Sequence, residues 1–327
     1  MNKVYKVGIM GTANIARRSL IPTFVSSDRF EIYAIASRSM AKAKKVSEQC
    51  GASVAYGNYQ DLCDDSHIDL VYCPLPTGLH FEWIMKALKS GKHVMSEKSL
   101  GNNFAEVSQM VNLARRQNLL LIENFQFRFH SQNTWAKKLL EGGTLGDIRC
   151  FRAQFGFPPF PDGEDNIRYK AALGGGALLD AGAYTLKAMQ FFLPDHDFKL
   201  KAASLFTPIG KEVDIHGGIY LDSTFGATAE LAFGFDNFYQ CGYEVWGSKG
   251  KLTTNRAFTA PADYNPVMIV ERQGERQEVV LPCDNHFSNM VSHIAKCIDT
   301  KNYEGEYQQD LLQSKYITEV QQYVYGK

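Results

Sequence analysis

A tyrosine and an aspartate follow a run of three glycines, and their side chains are of types that can transfer protons. The run covers residues 174–176, and Asp180 and Tyr184 come after it, four residues apart. On a helix this spacing places both side chains on one face, so both are predicted to point into the same cleft. A carboxyl group and a phenol placed in this way can act as an acid–base pair at a carbonyl or an alcohol. The alternative is a core tyrosine whose hydroxyl has a hydrogen-bond partner.

A second candidate site is a turn of small residues after the first apolar run. Residues 7–10 lead into a turn that begins Gly11, Thr12, Ala13, Asn14, Ile15. The turn fits a Gly-x-Gly-x-x-Gly pattern in which alanine replaces the second and third glycines. Small residues allow the backbone N–H groups and the next helix to approach a pyrophosphate. An ordinary strand–turn–helix unit uses similar residues, so the turn alone does not establish a nucleotide site.

The end of the second apolar run indicates which dinucleotide such a turn would bind. A Rossmann domain that selects NAD usually has an acidic residue there, which holds the ribose hydroxyls. This chain has Ser37 and Arg38 instead, and Lys42 follows one helical turn later. A guanidinium pairs well with a 2′-phosphate. The sequence therefore favours NADP(H) over NAD(H), with a solvated surface arginine as the alternative.

The order of apolar runs predicts the elements that position these residues. Over residues 1–123 short apolar runs alternate with helical patterns, which predicts an α/β Rossmann domain with a doubly wound parallel sheet. The strands are expected at residues 4–10, 30–36, 70–73, 93–95 and 119–122, and the helices at residues 40–50, 81–90 and 104–117.

The remaining residues, 124–327, have a different pattern. A long helical segment and a glycine-rich stretch precede several strand-like runs, which predicts an α+β domain with a mainly antiparallel sheet. The strands are expected at residues 148–157, 199–206, 217–220, 227–235, 241–246 and 267–272. A last helix is expected at residues 308–325, and the pattern does not indicate where it packs.

Composition excludes several classes of protein. The length of 327 residues suits two domains. Because 35 basic residues balance 35 acidic ones, neither nucleic acid nor a membrane surface is an expected partner. No apolar run reaches the roughly 18–20 residues that span a bilayer, and the start is not a signal peptide, which predicts a cytoplasmic protein. The seven cysteines and eight histidines are scattered, so disulfides and a metal site are not expected.

Two longer motifs resemble a known family. Residues 74–80 read P-L-P-T-G-L-H and residues 87–98 read A-L-K-S-G-K-H-V-M-S-E-K. With the glycine-rich segment 174–184 and the turn at 245–250, they resemble the glucose-fructose oxidoreductase and inositol dehydrogenase (Gfo/Idh/MocA) family over nearly the whole chain. The resemblance implies a C-terminal domain with an open sheet that often forms an oligomer interface. A homo-oligomer, either a dimer or a tetramer, is therefore expected.

The resemblance also implies residue roles. Lys98 takes the position of the family lysine that lies near the nicotinamide and the reacting carbon. The proline that follows this lysine in the family is Ser99 here, so its restraint on the backbone is absent. A cation such as Lys98 near Tyr184 would bring the pKa of the phenol toward working pH. Further cofactor positions implied by these motifs are Pro74, Leu75, Pro76, His80 and Glu97.

Within the family, the chain looks most like the nucleotide-sugar 3-ketoreductases. The similarity lies in E-N-F at 123–125, H-S-Q at 130–132 and I-R-Y at 167–169. It implies NADPH-dependent reduction of a sugar keto group, at C3 of a nucleotide-linked hexose, with Tyr184 as proton donor and Lys98 assisting. The implied substrate residues are Arg128, His130, Arg168 and Tyr169. Residues Phe155, Phe157 and Phe160 either line a sugar or base face or belong to a half-buried strand.

Two other functions remain open at this point. One is an NAD(P)-dependent dehydrogenase of a free sugar, a polyol or a dihydrodiol. The other is a non-catalytic NADP-binding sensor, since Rossmann folds also serve that purpose. The presence of both Lys98 and Tyr184 argues against the sensor.

Overall fold

A computed structural model describes residues 3–326, apart from the side chain of Glu164. The chain divides into two compact units: the first ends at Asn124 and also includes Phe287–Ser314, and the second contains Phe125–His286 and the residues from Lys315 onward. Residues 287–314 were expected in the second domain. The structure places them with the first unit instead, an arrangement that depends on side-chain packing and not on a local pattern.

The first unit contains a six-stranded parallel sheet. Its strands are β1 (Tyr5–Met10), β2 (Phe30–Ala36), β3 (Val54–Tyr56), β4 (Leu70–Cys73), β5 (His93–Glu97) and β6 (Leu121–Asn124), in the order β3-β2-β1-β4-β5-β6. Every residue of β4 is buried, as expected for a strand that is covered on both faces. The strand order reverses between β1 and β4, which is where ligands bind in sheets of this kind.

Helices connect these strands. They are α1 (Ile21–Val25), which continues a π-helical turn at Ala16–Leu20, and then α2 (Met40–Cys50), α3 (Tyr59–Asp64), α4 (His80–Lys89) and α5 (Phe104–Gln117). Polar caps fix their starts: Ser39 accepts from the backbone N–H of Lys42 at α2, and Asn103 accepts from that of Glu106 at α5.

The second unit contains an eight-stranded, mainly antiparallel sheet. Its strands are β7 (Ile148–Gly156), β8 (Phe198–Phe206), β9 (His216–Ser223), β10 (Thr228–Gly234), β11 (Gln240–Gly247), β12 (Gly250–Thr254), β13 (Val267–Arg272) and β14 (Glu275–Val280). They lie in the order β14-β13-β12-β11-β7-β10-β9-β8, and β7 pairs with β10 in parallel. The predicted combination of a Rossmann domain and an α+β domain is confirmed.

The two faces of this sheet differ in character. Helix α6 (Ser131–Glu141) precedes the sheet in the chain, and α7 (Ala183–Phe192) lies against β7 and β10. The residues on the α7 side form an apolar core that includes Phe151, Leu231 and Phe233. Tyr220 and Trp246 remain exposed.

Two helices end the chain, α8 (His286–Thr300) and α9 (Glu304–Tyr325). The predicted helix at 308–325 is the larger part of α9, whose residues up to Ser314 belong to the first unit and the rest to the second. Within the described residues, no helix is long and apolar enough to cross a membrane, and no group of His, Cys, Asp and Glu side chains has the arrangement of a metal site. All seven cysteines are free thiols.

Candidate active site and dinucleotide site

The turn of small residues lies at the carboxyl end of β1, where the strand order reverses. The backbone N–H of Gly11 donates to the carbonyl oxygen of Ala36 at 2.8 Å, which ties the turn to the end of β2. Gly11 has a φ of 115°, and a Cβ there would lie 3.2 Å from Cδ2 of Leu75, so glycine is required. The following residues Thr12, Ala13, Asn14 and Ile15 are partly or fully exposed. Their backbone can therefore be reached by an anion.

Arg38 extends from the end of β2 and contacts a tyrosine that sequence reasoning missed. The neighbouring Ser37 is buried and Arg38 is exposed. Burial raises the pKa of Tyr59, and the charge of the nearby Arg38 guanidinium opposes this rise. The hydroxyl of Tyr59 lies 4.0 Å from where a Cβ on Gly11 would stand. Tyr59 therefore connects the glycine turn to the predicted phosphate-binding arginine.

His80 is fully buried and joins two loops of the first unit. Its Nε2 lies 2.7 Å from the carbonyl oxygen of Leu75, and its Nδ1 lies 2.9 Å from that of Ser99. Leu75 lies between Pro74 and Pro76 in the loop after β4, and Ser99 follows Lys98 after β5. Burial lowers the pKa of His80, and its contacts with backbone carbonyl groups oppose this effect. The structure thus places this predicted cofactor residue behind the loops, where it positions them.

Glu97 and Lys98 end β5. One carboxylate oxygen of Glu97 accepts hydrogen bonds of 2.7 Å from the hydroxyl of Tyr72 and from the side-chain amide of Asn124. Burial raises the pKa of Glu97, although both hydrogen bonds and the charge of Lys98 act in the opposite direction. The Lys98–Ser99 peptide bond is cis. Lys98 itself is half-buried.

In the second unit, the segment with Asp180 is not a regular α-helix. Leu178–Gly182 form a π-helical turn, and α7 begins at Ala183. Asp214 anchors this turn, because its carboxylate accepts from the backbone N–H of Leu178 at 2.7 Å. Burial raises the pKa of Asp214 to about 6. Sequence reasoning did not identify Asp214, which has no motif around it.

Tyr184 is buried in an aromatic enclosure near the start of α7. Its ring centroid lies 5.0 Å from that of Phe155 and 5.2 Å from that of Phe125. Its hydroxyl lies 3.3 Å from the side-chain amide of Gln126. The rings exclude water around the phenol, and Gln126 can both donate to it and accept from it. Gln126 is a further residue that the sequence analysis did not single out.

Asp180 forms an ion pair with Arg168. The Nε of Arg168 donates to Oδ2 of Asp180 at 2.5 Å. The guanidinium also lies 4.7 Å from the centroid of Phe160, and Tyr169 packs against the same ring. The structure therefore brings together two of the predicted substrate residues with the predicted acid–base aspartate.

The other two predicted substrate residues lie inside the second unit. Arg128 is buried, and its guanidinium lies 5.0 Å from the ring centroid of Phe129. His130 is fully buried, and its Nδ1 accepts from the backbone N–H of Gln132 at the start of α6. Burial lowers the pKa of His130. Its observed role is to cap a helix.

Comparison with known proteins places this geometry in context. Residues 5–125 match a family described as "Oxidoreductase family, NAD-binding Rossmann fold", and residues 134–253 match "GFO/IDH/MocA C-terminal domain". A dTDP-3,4-didehydro-2,6-dideoxy-alpha-D-glucose 3-reductase from Saccharopolyspora spinosa is 40% identical over 91% of this chain and 89% of its own. A D-xylose 1-dehydrogenase (NADP(+)) from Haloferax volcanii is 36% identical over 90% of this chain and 89% of its own.

A solved structure is similar over nearly the full length. It is a 3-ketoreductase from Actinomadura kijaniata in complex with NADP and TDP-benzene, with a TM-score of 0.94, 36% identity and 98% coverage of both chains. Structures of the same reductase with a tyrosine-to-phenylalanine and a lysine-to-alanine substitution are also similar to this chain.

Proposed function

This chain belongs to the Gfo/Idh/MocA family of oxidoreductases, and on that premise we propose that it uses NADPH to reduce the C3 keto group of a nucleotide-linked hexose. The observation that carries the proposal is the aromatic enclosure of Tyr184, whose hydroxyl contacts Gln126. Four residues before Tyr184, Asp180 forms an ion pair with Arg168. This arrangement supplies a proton donor for an alkoxide and a cation for a diphosphate. The names of the similar reductases support the same substrate class.

The cofactor assignment rests on residues of the first unit. The Gly11 turn at the end of β1 would approach the pyrophosphate, and Arg38 beside Tyr59 would hold the 2′-phosphate. We infer that NADP(H) is preferred to NAD(H), as the NADP named with similar proteins also suggests. When bound, the dihydronicotinamide would supply the hydride.

The chain's own residues provide the remaining chemistry. Tyr184 gives its proton to the oxygen at C3 while the carbonyl carbon becomes tetrahedral. Lys98 assists by favouring negative charge on that oxygen and on the phenol. Gln126 then orients the hydroxyl, and the surrounding rings exclude water that would compete for the proton.

A second candidate is the oxidation of a free sugar by NADP⁺. It is favoured by the similarity to the D-xylose dehydrogenase, which is nearly as extensive as that to the 3-reductase. The same acid–base group would serve, since Tyr184 as phenolate can accept the proton of an alcohol. The two candidates differ in whether a nucleotide is recognised.

Two further parts of the proposal concern assembly and location. We infer a homo-oligomer, dimer or tetramer, that associates through the exposed face of the eight-stranded sheet. The reaction is proposed to occur in the cytoplasm.

Turnover of matched substrates tests the proposed function. NADPH consumption is followed with a dTDP-linked 3-ketohexose and with the same ketohexose lacking the nucleotide. In the oxidative direction, NADPH formation is followed with D-xylose and NADP⁺. We expect turnover of the nucleotide-linked sugar and much weaker activity with the other two. Efficient oxidation of xylose without turnover of the nucleotide-linked sugar would favour the second candidate.

Nucleoside diphosphate binding provides an independent check. A ligand that binds only the native state raises its stability by RT ln(1 + [L]/Kd), about 2.7 kcal/mol at a hundredfold excess over Kd. With NADP present, dTDP should therefore raise the unfolding temperature. An unchanged unfolding temperature with every nucleoside diphosphate would contradict the proposed substrate class.

A further inference from the structure

A small aromatic cavity lies in the second unit, next to Arg168. Its volume is about 230 Å³, and its lining includes Phe160, Tyr169, Pro208, Ile215, Lys211 and Asp236. Pockets for drug-sized ligands have volumes of about 300–1,000 Å³. This cavity is therefore smaller than a site that encloses a whole nucleotide and is large enough for a single base. Apart from Tyr169, whose role was only implied, the proposed chemistry uses none of these residues.

The aromatic walls of the cavity are held in place. Phe160 packs edge-to-face against Phe157 and Phe235, with ring centroids 5.1 Å and 5.5 Å apart. Tyr169 packs against Phe235 in the same way at 5.9 Å. Rings that are already fixed lose little conformational entropy when they stack on a ligand. The cavity is thus preorganised for a flat, apolar group.

Contacts of Arg168 connect the cavity with the segment that precedes the proposed proton donor. Arg168 donates to Asp180 at 2.5 Å, four residues before Tyr184, and the Arg168 guanidinium lies 4.7 Å from the centroid of Phe160. The order is therefore a phenol, a guanidinium and an aromatic cavity. A nucleotide-linked ketosugar presents matching groups in the same order: the keto carbon, the diphosphate and the base.

We propose that this cavity binds the base of the nucleotide-linked substrate. The inference rests on the proposed function and adds the location of the base. A pyrimidine stacks on Phe160 or Tyr169, as bases do on aromatic side chains. With an imide edge, as in thymine or uracil, a ring carbonyl accepts from Lys211 and the ring N–H donates to Asp236. Arg168 then faces the diphosphate.

Titration calorimetry of the NADP-loaded enzyme tests this assignment with two probes: dTDP and inorganic pyrophosphate. The wild-type protein should bind dTDP roughly 10-fold more tightly than pyrophosphate, because only dTDP carries a base that can stack. Phe160→Ala and Tyr169→Ala should each weaken dTDP binding roughly 10- to 100-fold, because each removes a stacking ring. Pyrophosphate binding should not change. Phe225→Ala is the matched control, since Phe225 is an exposed aromatic residue outside the cavity lining, and it should bind both probes normally.

A variant at an exposed residue tests the assignment even if the two aromatic variants fail to fold. Asp236 is exposed, so Asp236→Ala should fold normally and weaken dTDP binding roughly 5- to 10-fold with pyrophosphate binding unchanged. If the wild-type protein binds dTDP and the cavity variants bind it equally well, the base lies elsewhere and only this assignment is overturned. If the wild-type protein binds neither dTDP nor pyrophosphate, the proposed function fails and the cavity assignment fails with it.

Discussion

At the carboxyl end of β2, a guanidinium takes the place where NAD-selective domains carry a carboxylate. Arg38 is exposed and lies near Tyr59, whose hydroxyl is close to the Gly11 turn, so its charge is available to a 2′-phosphate. We expect Arg38→Ala to weaken NADPH binding by about 1.5–3 kcal/mol, roughly 10-fold or more, with little change for NADH. Fluorescence titration with both cofactors measures the difference. Lys44→Ala, an exposed cation on α2, is the control, and an equal loss for both cofactors would refute the assignment.

Substitution of Tyr184 should slow the chemical step without changing cofactor binding. Tyr184→Phe keeps the aromatic packing with Phe125 and Phe155 and removes only the hydroxyl that contacts Gln126. NADPH affinity should stay unchanged, whereas kcat should fall roughly 10²- to 10⁴-fold, because the proton donor is needed only as the alkoxide develops. Near-normal turnover of the true substrate would show that another group donates the proton, and Asp180 with a bound water would become the next candidate, since His130 is fully buried.

Lys98 is expected to act together with Tyr184. Lys98→Ala should lower the rate and move the alkaline limb of the pH–rate profile upward, since loss of the cation favours the neutral phenol. The double variant should be little slower than the slower single variant, because residues that act as a unit have non-additive effects. Additive losses in kcat would indicate that the two residues act independently.

At the scale of elements, His80 joins the loop after β4 to the loop after β5. Its ring contacts the carbonyl groups of Leu75 and Ser99, which are left without these contacts in His80→Ala. We expect a loss of about 1–3 kcal/mol in unfolding free energy and weaker NADPH binding. Urea unfolding and cofactor titration measure the two effects. Lys45→Ala removes an exposed side chain on α2 and should change neither, and normal behaviour of His80→Ala would contradict the positioning role.

Most elements of the fold could be predicted because their apolar patterns are long and regular. Helices α2 and α5 and strands β2, β4 and β13 match the predicted ranges to the residue. The short β3 and α3 were not predicted, since three and six residues carry too little periodicity. The edge strand β14 was also missed, because most of its residues are exposed and it lacks alternation.

Candidate site residues could be proposed from the sequence where a motif contains them, and not where tertiary contacts bring them together. The small-residue turn, Arg38, Lys98 and Tyr184 each stand in a pattern along the chain. Tyr59, Gln126 and Asp214 join the site through contacts with residues that are distant in sequence, which no local pattern reveals. For the same reason, the burial of Arg128 and His130 could not be seen from their motifs.

At the scale of the whole molecule, stability should depend on pH through His293. Its Nε2 lies 3.0 Å from a carboxylate oxygen of Glu306 and 3.3 Å from the thiol of Cys297, and these contacts raise the pKa of His293 to about 9. A raised pKa means that the folded state favours the protonated ring. The stabilisation is therefore complete below the ordinary value near 6.5 and is lost as pH rises through about 9.

A histidine variant tests this pH dependence. His293→Asn should lower the unfolding free energy by about 1 kcal/mol at pH 6, a figure reduced for the partial exposure of the ring. The difference from the wild-type protein should disappear by pH 10. Lys45→Ala, an exposed side chain on α2, provides the control, and denaturant unfolding across this pH range is the measurement. A constant difference at all pH values would rule out the ionised pair as the cause.

The exposed face of the eight-stranded sheet should determine assembly. On this face Arg152 pairs with Glu230 and Glu244, and the exposed aromatic residues Tyr220 and Trp246 lie among the same strands. Aromatic residues and arginine are enriched in protein interfaces. We expect light scattering to show a dimer or tetramer and Tyr220→Lys to shift it toward smaller species. Phe225→Lys should have no effect, and a wild-type monomer at micromolar concentration would contradict the proposed interface.

Transfer of a labelled hydride tests the central claim most directly. NADPH with deuterium at both C4 positions of the nicotinamide is incubated with the protein and a dTDP-linked 3-ketohexose, and the product is analysed by NMR and mass spectrometry. The proposed reaction predicts one deuterium at C3 of the sugar, with Tyr184→Phe slowing its incorporation and the Phe225→Ala control leaving it unchanged. A product without deuterium at C3, or no product from this substrate while D-xylose is oxidised with NADP⁺, would contradict the account.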